Sequence, residues 1–300
     1  MEMIDAVKPI KHLVVIGTGL IGGSLALALK KAGVVERVTG VGRNRDNLEL
    51  AEASGIVDGW SHDIAAAISD ADVVVVAVPM AAYESVFAAM ADTLPATAIV
   101  TDAGSTKQSA IAAARSFLPN PCRFVAGHPI AGTEQSGAGA AFAELFENHL
   151  CILTPQDETD AQALQTVRAM WEAAGSRVIC MAAAEHDDFL AAVSHLPHLA
   201  AFALVNAVRK QGSDEHEPFE FAAGGFRDFT RIASSSPQMW RDIALCNKSA
   251  VMHQLDALQD ELTAMKLALQ TDDGEQLLKD FKAAKTARDA WLAKQGEDGS

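Results

Sequence analysis

The sequence predicts an α/β domain built on a parallel sheet, followed by an all-helical domain. Over the first 180 residues, short apolar runs alternate with helix-like stretches, which is the pattern of a parallel sheet with helices on both faces. After Met181 the strand signal disappears and long helix-like segments follow. We therefore expect a first domain at residues 1–182 and a helical domain at residues 183–300.

The individual elements follow from the same periodicity. The run at residues 73–78 is continuously apolar, as expected for a central strand that is buried on both faces. The expected strands are 13–16, 37–41, 72–78, 98–101, 123–126, 151–153 and 177–180. The helices expected in the second domain are 185–209, 237–269 and 274–294.

Composition excludes several classes of protein. A chain of 300 residues with 49% hydrophobic residues can bury a core of about two domains. A net charge of −15 argues against nucleic acid or an anionic membrane as a partner, since both need a basic face. The four cysteines are widely spaced, without metal-ligand spacing, and no run of about 18 apolar residues occurs. We expect a cytoplasmic protein without a metal site.

The glycine-rich segment after the first expected strand opens the first expected helix. It reads Gly17-Thr18-Gly19-Leu20-Ile21-Gly22. A GxGxxG motif alone is weak evidence, but between a first strand and a first helix it indicates a dinucleotide-binding turn of the Rossmann type. Gly17 permits the tight turn, Gly19 lets the backbone approach a pyrophosphate, and Gly22 lets the helix pack on the strand. We expect these six residues to bind NADP or NAD.

The end of the second expected strand bears on the choice between these cofactors. NAD-binding versions of the fold usually place an acidic residue there to hold the ribose 2′-hydroxyl. This sequence instead reads Val41-Gly42-Arg43-Asn44. Arg43, with Arg45 nearby, can pair with a 2′-phosphate, which favours NADP. The alternative is that both arginines are solvated loop residues, which leaves NAD open.

A histidine follows the fifth expected strand in the glycine-flanked turn AGHPIAGTEQSG, residues 126–137. A histidine at a strand end titrates near neutrality, so His128 can accept a proton where open α/β sheets bind ligands. Together with the glycine turn, it predicts a dehydrogenase. Other distinctive segments are DAGSTK at 102–107, SHLPH at 194–198 and GGFRDFTRIA at 224–233, with Trp240 soon after.

Taken in this order, the motifs resemble those of the prephenate and arogenate dehydrogenases of tyrosine biosynthesis, from about residue 12 to residue 290. The resemblance implies an oxidative decarboxylation, in which hydride leaves C4 of a cyclohexadienol, carbon dioxide leaves C1 and the ring becomes aromatic. It implies that His128 is the catalytic residue that accepts a hydrogen bond or proton from the 4-hydroxyl. It also implies that Ser105 hydrogen-bonds that hydroxyl; from the residues alone, Ser105 can instead be a helix N-cap.

The resemblance also implies substrate-binding residues. Arg231 corresponds to the arginine that binds a substrate carboxylate, which suits its planar fork, and Arg227 is the alternative. His198 corresponds to a substrate-contacting histidine, although a histidine on an apolar helix is commonly a core residue. The other positions implied are Thr133, Glu134, Gly224, Asp228 and Trp240. Whether the substrate is prephenate, arogenate or both stays open.

An apolar seam on the second predicted helix of the helical domain bears on assembly. Its residues recur at a spacing of 4-3-4-3-4: Val251, Leu255, Leu258, Leu262, Met265 and Leu269. The seam either joins subunits or packs within the chain. The resemblance places it in the part through which the family dimerises, so we expect a homodimer.

Two other interpretations of the motifs remain. The first is another dehydrogenase with a Rossmann and a helical domain, such as a 3-hydroxyacid dehydrogenase or a pyrroline-carboxylate reductase; no lysine lies at residues 182–207 to serve as the catalytic lysine of the former. The second is a nucleotide-binding protein without catalytic activity, because a fold does not fix a function. Such a protein has no need of His128, Ser105 and Arg231 together.

Overall fold

The computed structural model describes residues 9–133, 135–212 and 216–297. The described residues up to Val251 form one compact unit, and those from Met252 onward form a second. Predicted residue Glu134 lies outside the described residues.

The main sheet has six strands in the order β3-β2-β1-β4-β5-β6, all parallel. This is the strand order of the doubly wound dinucleotide-binding fold, as the sequence predicts. The strands are β1 (Ile10–Ile16), β2 (Val35–Val41), β3 (Gly59–Ser61), β4 (Val73–Val76), β5 (Ile99–Asp102) and β6 (Phe124–Val125). Sequence analysis misses β3, because three residues of mixed polarity carry no period-two pattern.

Helices cover both faces of this sheet, so the central strands β1, β4 and β5 are buried on both sides. In β1, Leu13 and Val15 belong to one apolar cluster, whereas Val14 and Ile16 belong to the other. This explains why the central strands read as continuous apolar runs. The helices are α1 (Leu20–Lys31), α2 (Arg45–Ala53), α3 (Ile64–Ile68), α4 (Tyr83–Met90), α5 (Lys107–Phe117) and α6 (Ala161–Ala173).

A second sheet of three strands corrects two expectations. It contains β7 (Gly127–Pro129), β8 (Leu150–Leu153) and β9 (Arg177–Cys180), with β7 antiparallel to β8. The last two expected strands therefore form a separate sheet with β7. His128 lies on β7 opposite Ile152, not in a turn. β7 is a strand because β8 pairs with it. β8 lies outside residues 126–137, so the local sequence around His128 does not indicate the pairing.

Residues after Met181 are helical, as predicted. The helices are α7 (Ala183–Leu190), α8 (Leu196–Arg209), α9 (Gly224–Thr230), α10 (Pro237–Cys246), α11 (Lys248–Gln270) and α12 (Gly274–Glu297). A π-helical turn at Ala191–His195 joins α7 to α8 just before Pro197, whose missing N–H cannot complete a regular α-helical ladder. The predicted helix 237–269 is interrupted at Asn247, and α9 is not predicted.

The helical stretch Ala183–Arg209 is long and apolar enough to cross a membrane by length and composition alone. It contains the buried residues His186 and Asp187, and Asp187 accepts hydrogen bonds from the first two amides of α5. These contacts tie α7 to the sheet domain within one compact unit.

The change from sheet to helices occurs near residue 182, while the compact units divide at 251/252. The domain boundary itself stays a prediction.

Candidate active site

The glycine turn joins β1 to α1, and two of its glycines are required by close packing. Gly17 has a φ of +103°, and a Cβ there would lie 2.3 Å from the Ala77 carbonyl oxygen. At Gly22 a Cβ would lie 2.2 Å from the Gly17 carbonyl oxygen. A Cβ on Gly19 would meet nothing within 4 Å. Two glycines therefore close the turn, and the third keeps open a surface that a pyrophosphate can approach.

The other residues of the motif divide between the cavity and the interior. Leu20 and Ile21, with Gly19, line a cavity at the carboxyl ends of the strands. Thr18 is buried, and its carbonyl and hydroxyl oxygens accept hydrogen bonds from the Asn47 amide at 3.2 and 3.1 Å. Thr18 thus fixes the turn against α2. The turn fits a dinucleotide, because open backbone faces a cavity at the start of a helix.

Arg43 lies at the carboxyl end of β2, where the predicted 2′-phosphate contact belongs. Its side chain is exposed, and among the described residues no carboxylate forms an ion pair with it. Arg45 differs, because its Nε lies 2.7 Å from Glu49 Oε1 and its guanidinium is 5.9 Å from the centre of the Trp60 ring. Arg45 thus has an ion-pair partner, whereas Arg43 has none among the described residues.

A cavity of about 470 Å³ contains the predicted catalytic residues together with the glycine turn. Ser105, His128 and Thr133 all line it. Apolar residues complete its wall, including Met80 beside the sheet and Met239 and Ile243 on α10. Residues far apart in the sequence therefore share one pocket beside the cofactor turn.

Ser105 is not the helix N-cap that the sequence allows as an alternative. The N-cap position of α5 is Thr106, whose hydroxyl bonds Ser109 Oγ at 2.6 Å. Ser105 precedes it and lines the cavity. Its position leaves the hydroxyl group available to a ligand.

A buried ion pair holds the backbone beside His128. Lys107 Nζ lies 2.6 Å from Asp102 Oδ2, and neither side chain is exposed. Asp102 Oδ1 accepts a hydrogen bond from the Gly127 amide at 3.0 Å, and Lys107 Nζ donates to the Gly127 carbonyl at 2.5 Å. Gly127, the residue before His128, is thus held at both its amide and its carbonyl group. The segment 102–107 positions His128 as well as Ser105.

His128 is partly buried and hydrogen-bonded to a second histidine. Its Nδ1 lies 2.9 Å from His186 Nε2, and His186 Nδ1 lies 2.8 Å from Asp187 Oδ1. Burial lowers the pKa of His128 well below its ordinary value of 6.5, and the charges of His186, Lys107 and His195 lower it further. His128 is therefore neutral at pH 7 and able to accept a proton.

Arg231 lies elsewhere on the surface of this unit. Arg227 and Arg231 line a groove of about 590 Å³ together with Phe219 and Phe226. This groove is larger than the cavity that contains His128, but it includes no predicted catalytic residue. The structure therefore does not place Arg231 in the His128 cavity, and both arginines remain candidates for binding an anion.

His198 and Trp240 form a stacked pair, with ring centres 3.6 Å apart and planes inclined by 21°. Trp240 is buried and donates from Nε1 to Ser235 Oγ at 2.8 Å, while His198 Nδ1 lies 2.9 Å from the Ser194 carbonyl oxygen. Neither lines the His128 cavity. Trp240 is on α10, the helix that also supplies Met239 and Ile243 to that cavity.

Gly224 and Asp228 are both on α9, which sequence analysis does not predict. Gly224 is the first residue of the helix, and a Cβ there would meet nothing within 4 Å. Both residues are exposed, and neither lines the His128 cavity. Their predicted contact with substrate stays a prediction.

Comparison with known proteins agrees with this arrangement. Residues 25–180 match the family model described as the nucleotide-binding domain of prephenate dehydrogenase, and residues 182–283 match its dimerization domain. A cyclohexadienyl dehydrogenase of Zymomonas mobilis is 40% identical over 279 residues, which cover 93% of this chain and 95% of that protein. The chain belongs to the prephenate dehydrogenase family.

Solved structures of the family have the same fold. Prephenate dehydrogenase of Aquifex aeolicus, in complex with hydroxyphenyl propionate and NAD+, is 36% identical with a TM-score of 0.88, covering 93% of this chain and 97% of that one. An arogenate dehydrogenase of Synechocystis is 28% identical with a TM-score of 0.79, covering 93% and 99%. The chain is thus an oxidoreductase with an NAD(P)-binding domain, as the sequence predicts.

Sequence analysis misses His186 and Asp187. Both are buried at the start of the helical region, and Asp187 reaches back to the amino end of α5, 80 residues earlier in the chain. The local signal is weak, because both residues stand in the polar run EHDD at residues 185–188, which is equally typical of a solvated helix surface. That signal gains meaning when the fold brings α7 against α5 and β7.

Proposed function

We propose that the chain oxidises prephenate, arogenate or both, with decarboxylation, in tyrosine biosynthesis. The supporting observation is the single cavity lined by Gly19 of the cofactor turn, Ser105, His128 and Thr133. It places a proton acceptor and a hydroxyl group beside the turn that binds the dinucleotide. Geometry of this kind promotes reaction mainly by orienting the reacting groups.

In the proposed reaction, His128 accepts the proton of the substrate 4-hydroxyl and Ser105 hydrogen-bonds the same oxygen. When bound, a nicotinamide dinucleotide supplies the acceptor for the hydride that leaves C4. The C1 carboxylate leaves as carbon dioxide, and its bonding electrons complete the aromatic ring. The proton on His128 then returns to the phenol oxygen, so the reaction releases no net proton.

The proposed cofactor is NADP, with NAD as the alternative. The exposed, unmatched charge of Arg43 at the end of β2 supports this preference. We predict that Arg43→Ala lowers kcat/KM for NADP by tenfold or more while changing that for NAD little, because only NADP carries the 2′-phosphate. Arg45→Ala is the matched control, since Arg45 already pairs with Glu49. A wild-type protein that clearly prefers NAD contradicts the proposal.

The proposed carboxylate-binding residue is Arg231, with Arg227 as the alternative in the same groove. Arg231→Ala is expected to raise KM for the substrate more than it lowers kcat, because the contact exists before the transition state as well as in it. The KM values of Arg231→Ala and Arg227→Ala decide between them. An unchanged KM for a folded Arg231→Ala protein assigns the role to Arg227.

The other proposed substrate contacts are His198, Thr133, Glu134, Gly224, Asp228 and Trp240. We also propose that the chain works as a homodimer in the cytoplasm, without nucleic acid or membrane as a partner. The family's dimerization domain supports the dimer, and four unpaired cysteines suit a reducing compartment.

The deciding experiment incubates the protein with prephenate or arogenate and with NAD or NADP, and follows the absorbance of the reduced cofactor. Turnover in at least one combination is expected, and the four rates give the substrate and cofactor preference together. Absence of reduced cofactor in all four combinations, from protein with a native circular dichroism spectrum, overturns the proposal.

A further inference from the structure

The side chains behind His128 form a directed chain of hydrogen bonds that starts at Asp187. Its Oδ1 accepts from the Lys107 amide at 2.8 Å, and its Oδ2 accepts from the Gln108 amide at 3.0 Å. Burial alone raises the pKa of Asp187, but hydrogen bonds from His186 and these two amides outweigh it and lower the pKa. Asp187 is therefore an ionised carboxylate at neutral pH, which can only accept hydrogen bonds.

His186 must then donate to Asp187. The atoms in contact are His186 Nδ1 and Asp187 Oδ1, at 2.8 Å, so the proton of the imidazole lies on Nδ1. Burial lowers the pKa of His186 despite the nearby carboxylate, so the ring is neutral at pH 7. A neutral imidazole carries one N–H, which leaves His186 Nε2 as a hydrogen-bond acceptor.

The hydrogen bond between the two histidines fixes the proton on His128. Because His186 Nε2 accepts, the proton in the 2.9 Å contact belongs to His128 Nδ1. Because His128 is also neutral, its Nε2 carries no proton. If these hydrogen bonds ran in the opposite direction, His128 Nδ1 would accept a hydrogen bond from His186 and His128 Nε2 would carry the proton. His128 could then not act as a base. We propose that Asp187 and His186 are positioning residues that hold His128 in the tautomer whose Nε2 can accept the substrate proton.

This inference rests on the proposed function for its consequence, but the tautomer follows from the hydrogen-bond geometry and the protonation states of the three side chains, without reference to a substrate. The groups that face the pair of histidines are Asp187 on α7, Lys107 on α5, Asp102 on β5, His195 in the π-helical turn and the Cys151 thiol on β8. Asp102 and Lys107 are paired with each other. Among the described residues, Asp187 is thus the one carboxylate that is hydrogen-bonded to the pair His186 and His128. It also opposes the positive charge that His128 gains in the reaction.

The direct test is nitrogen NMR of the full chain with labelled histidine imidazoles, with His128 assigned from the signal missing in His128→Asn. The expected state of the wild type at pH 7 is His128 with Nδ1 protonated and Nε2 unprotonated. In Asp187→Ala, the acceptor of the His186 Nδ1–H bond is removed. The direction of the hydrogen bonds is then no longer fixed, so His128 is expected to populate the Nε2–H form as well. A wild-type His128 protonated on Nε2 overturns the proposal without any need for substrate.

The kinetic test compares Asp187→Ala with Asp188→Ala, and His186→Gln with His149→Gln. Asp188 and His149 are exposed and outside the site, so their variants are expected to keep wild-type activity. The site variants are expected to lose about tenfold to 10⁴-fold in kcat, the upper figure being the cost of a wrong histidine tautomer in a serine-protease triad. Their KM for the cofactor is expected to stay unchanged.

The pH profile separates positioning from a general structural defect. The positive charge that His186 gains at low pH lowers the pKa of His128, so His186→Gln is expected to move the acid limb of kcat/KM to higher pH. A structural defect lowers the rate equally at all pH values and leaves the limb in place. Site variants with kcat within threefold of their controls overturn the proposal. A wild type inactive on all substrates instead contradicts the proposed function, and NMR still tests the tautomer.

Discussion

The environment of His128 changes what the sequence predicts for this residue. An ordinary histidine is partly protonated at neutral pH, but burial and neighbouring positive charge keep this one neutral. It is therefore always ready to accept a proton at pH 7, although it is a weaker base than a solvated imidazole. In the proposed mechanism, the hydrogen bonds from Asp187 through His186 hold this neutral ring in position.

The pH dependence of the rate follows from this lowered pKa. In the proposed mechanism activity requires neutral His128, so activity is expected above its folded-state pKa and is expected to be lost as the pH falls through it. Because that pKa lies well below 6.5, we predict that kcat/KM stays level from pH 7.5 down to 6.5 and declines only at lower pH. A decline centred at 6.5 or above contradicts the burial argument. The measurement is a steady-state pH series with a saturating cofactor.

Replacement of the histidine tests its role directly. His128→Asn is expected to lower kcat by about 10² to 10⁴, the usual contribution of a general base, with cofactor affinity nearly unchanged. Cofactor affinity is measured by quenching of protein fluorescence in the same preparation. A kcat within threefold of the wild type removes His128 from the proposed mechanism.

At the scale of elements, the β1–α1 turn separates structural from binding glycines. Gly22 lies against the Gly17 carbonyl oxygen, whereas Gly19 faces the open cavity. The same motif therefore contains residues that build the turn and a residue that keeps its surface clear. The close packing at Gly17 and Gly22 agrees with the sequence analysis, because the strand and helix on either side fix the turn. The approach of a pyrophosphate to Gly19 stays a prediction.

A matched pair of substitutions distinguishes these roles. Gly22→Ala places a Cβ 2.2 Å from a backbone oxygen, so the melting temperature is expected to fall. Gly19→Ala has no neighbour within 4 Å and is expected to keep the melting temperature while raising KM for the cofactor tenfold or more. Calorimetry and cofactor titration of both variants check this. Equal effects of the two substitutions on stability contradict it.

At the scale of the molecule, the apolar seam of α11 is largely exposed in the single chain. Val251 is buried, but Leu262 and Leu269 are 54% and 61% exposed. Further large apolar side chains of α12 are exposed as well, including Phe281 and Trp291. Exposed apolar surface of this extent is typical of a subunit interface. It favours the intersubunit interpretation over packing within the chain.

We therefore predict a homodimer of twice 31.6 kDa by light scattering at micromolar concentration. Leu262→Glu is expected to shift the mass towards the monomer, because it buries an unpaired charge in the interface. Ala264→Glu, on the side of α11 away from the seam, is the control and is expected to stay dimeric. A wild-type mass near 31.6 kDa refutes the dimer.

The sequence by itself determines the fold class, the glycine turn and the resemblance to the family. Short-range patterns carry these features: the apolar runs of β1 and β4, and Gly17, Gly19 and Gly22 at fixed spacing after a strand. Ser105 and His128 follow from motifs of the same kind. Each depends on neighbours within a few residues, and each is visible without a fold.

Only the tertiary structure decides what lies around those residues. Pairing of β7 with β8 places His128 on a strand, and packing of α7 on α5 brings His186 and Asp187 behind it. These contacts join residues 24 to 80 positions apart, and burial in them sets the protonation of the histidines. Such long-range contacts produce no periodic pattern in the sequence, because each involves only one or two residues, here one histidine and one aspartate.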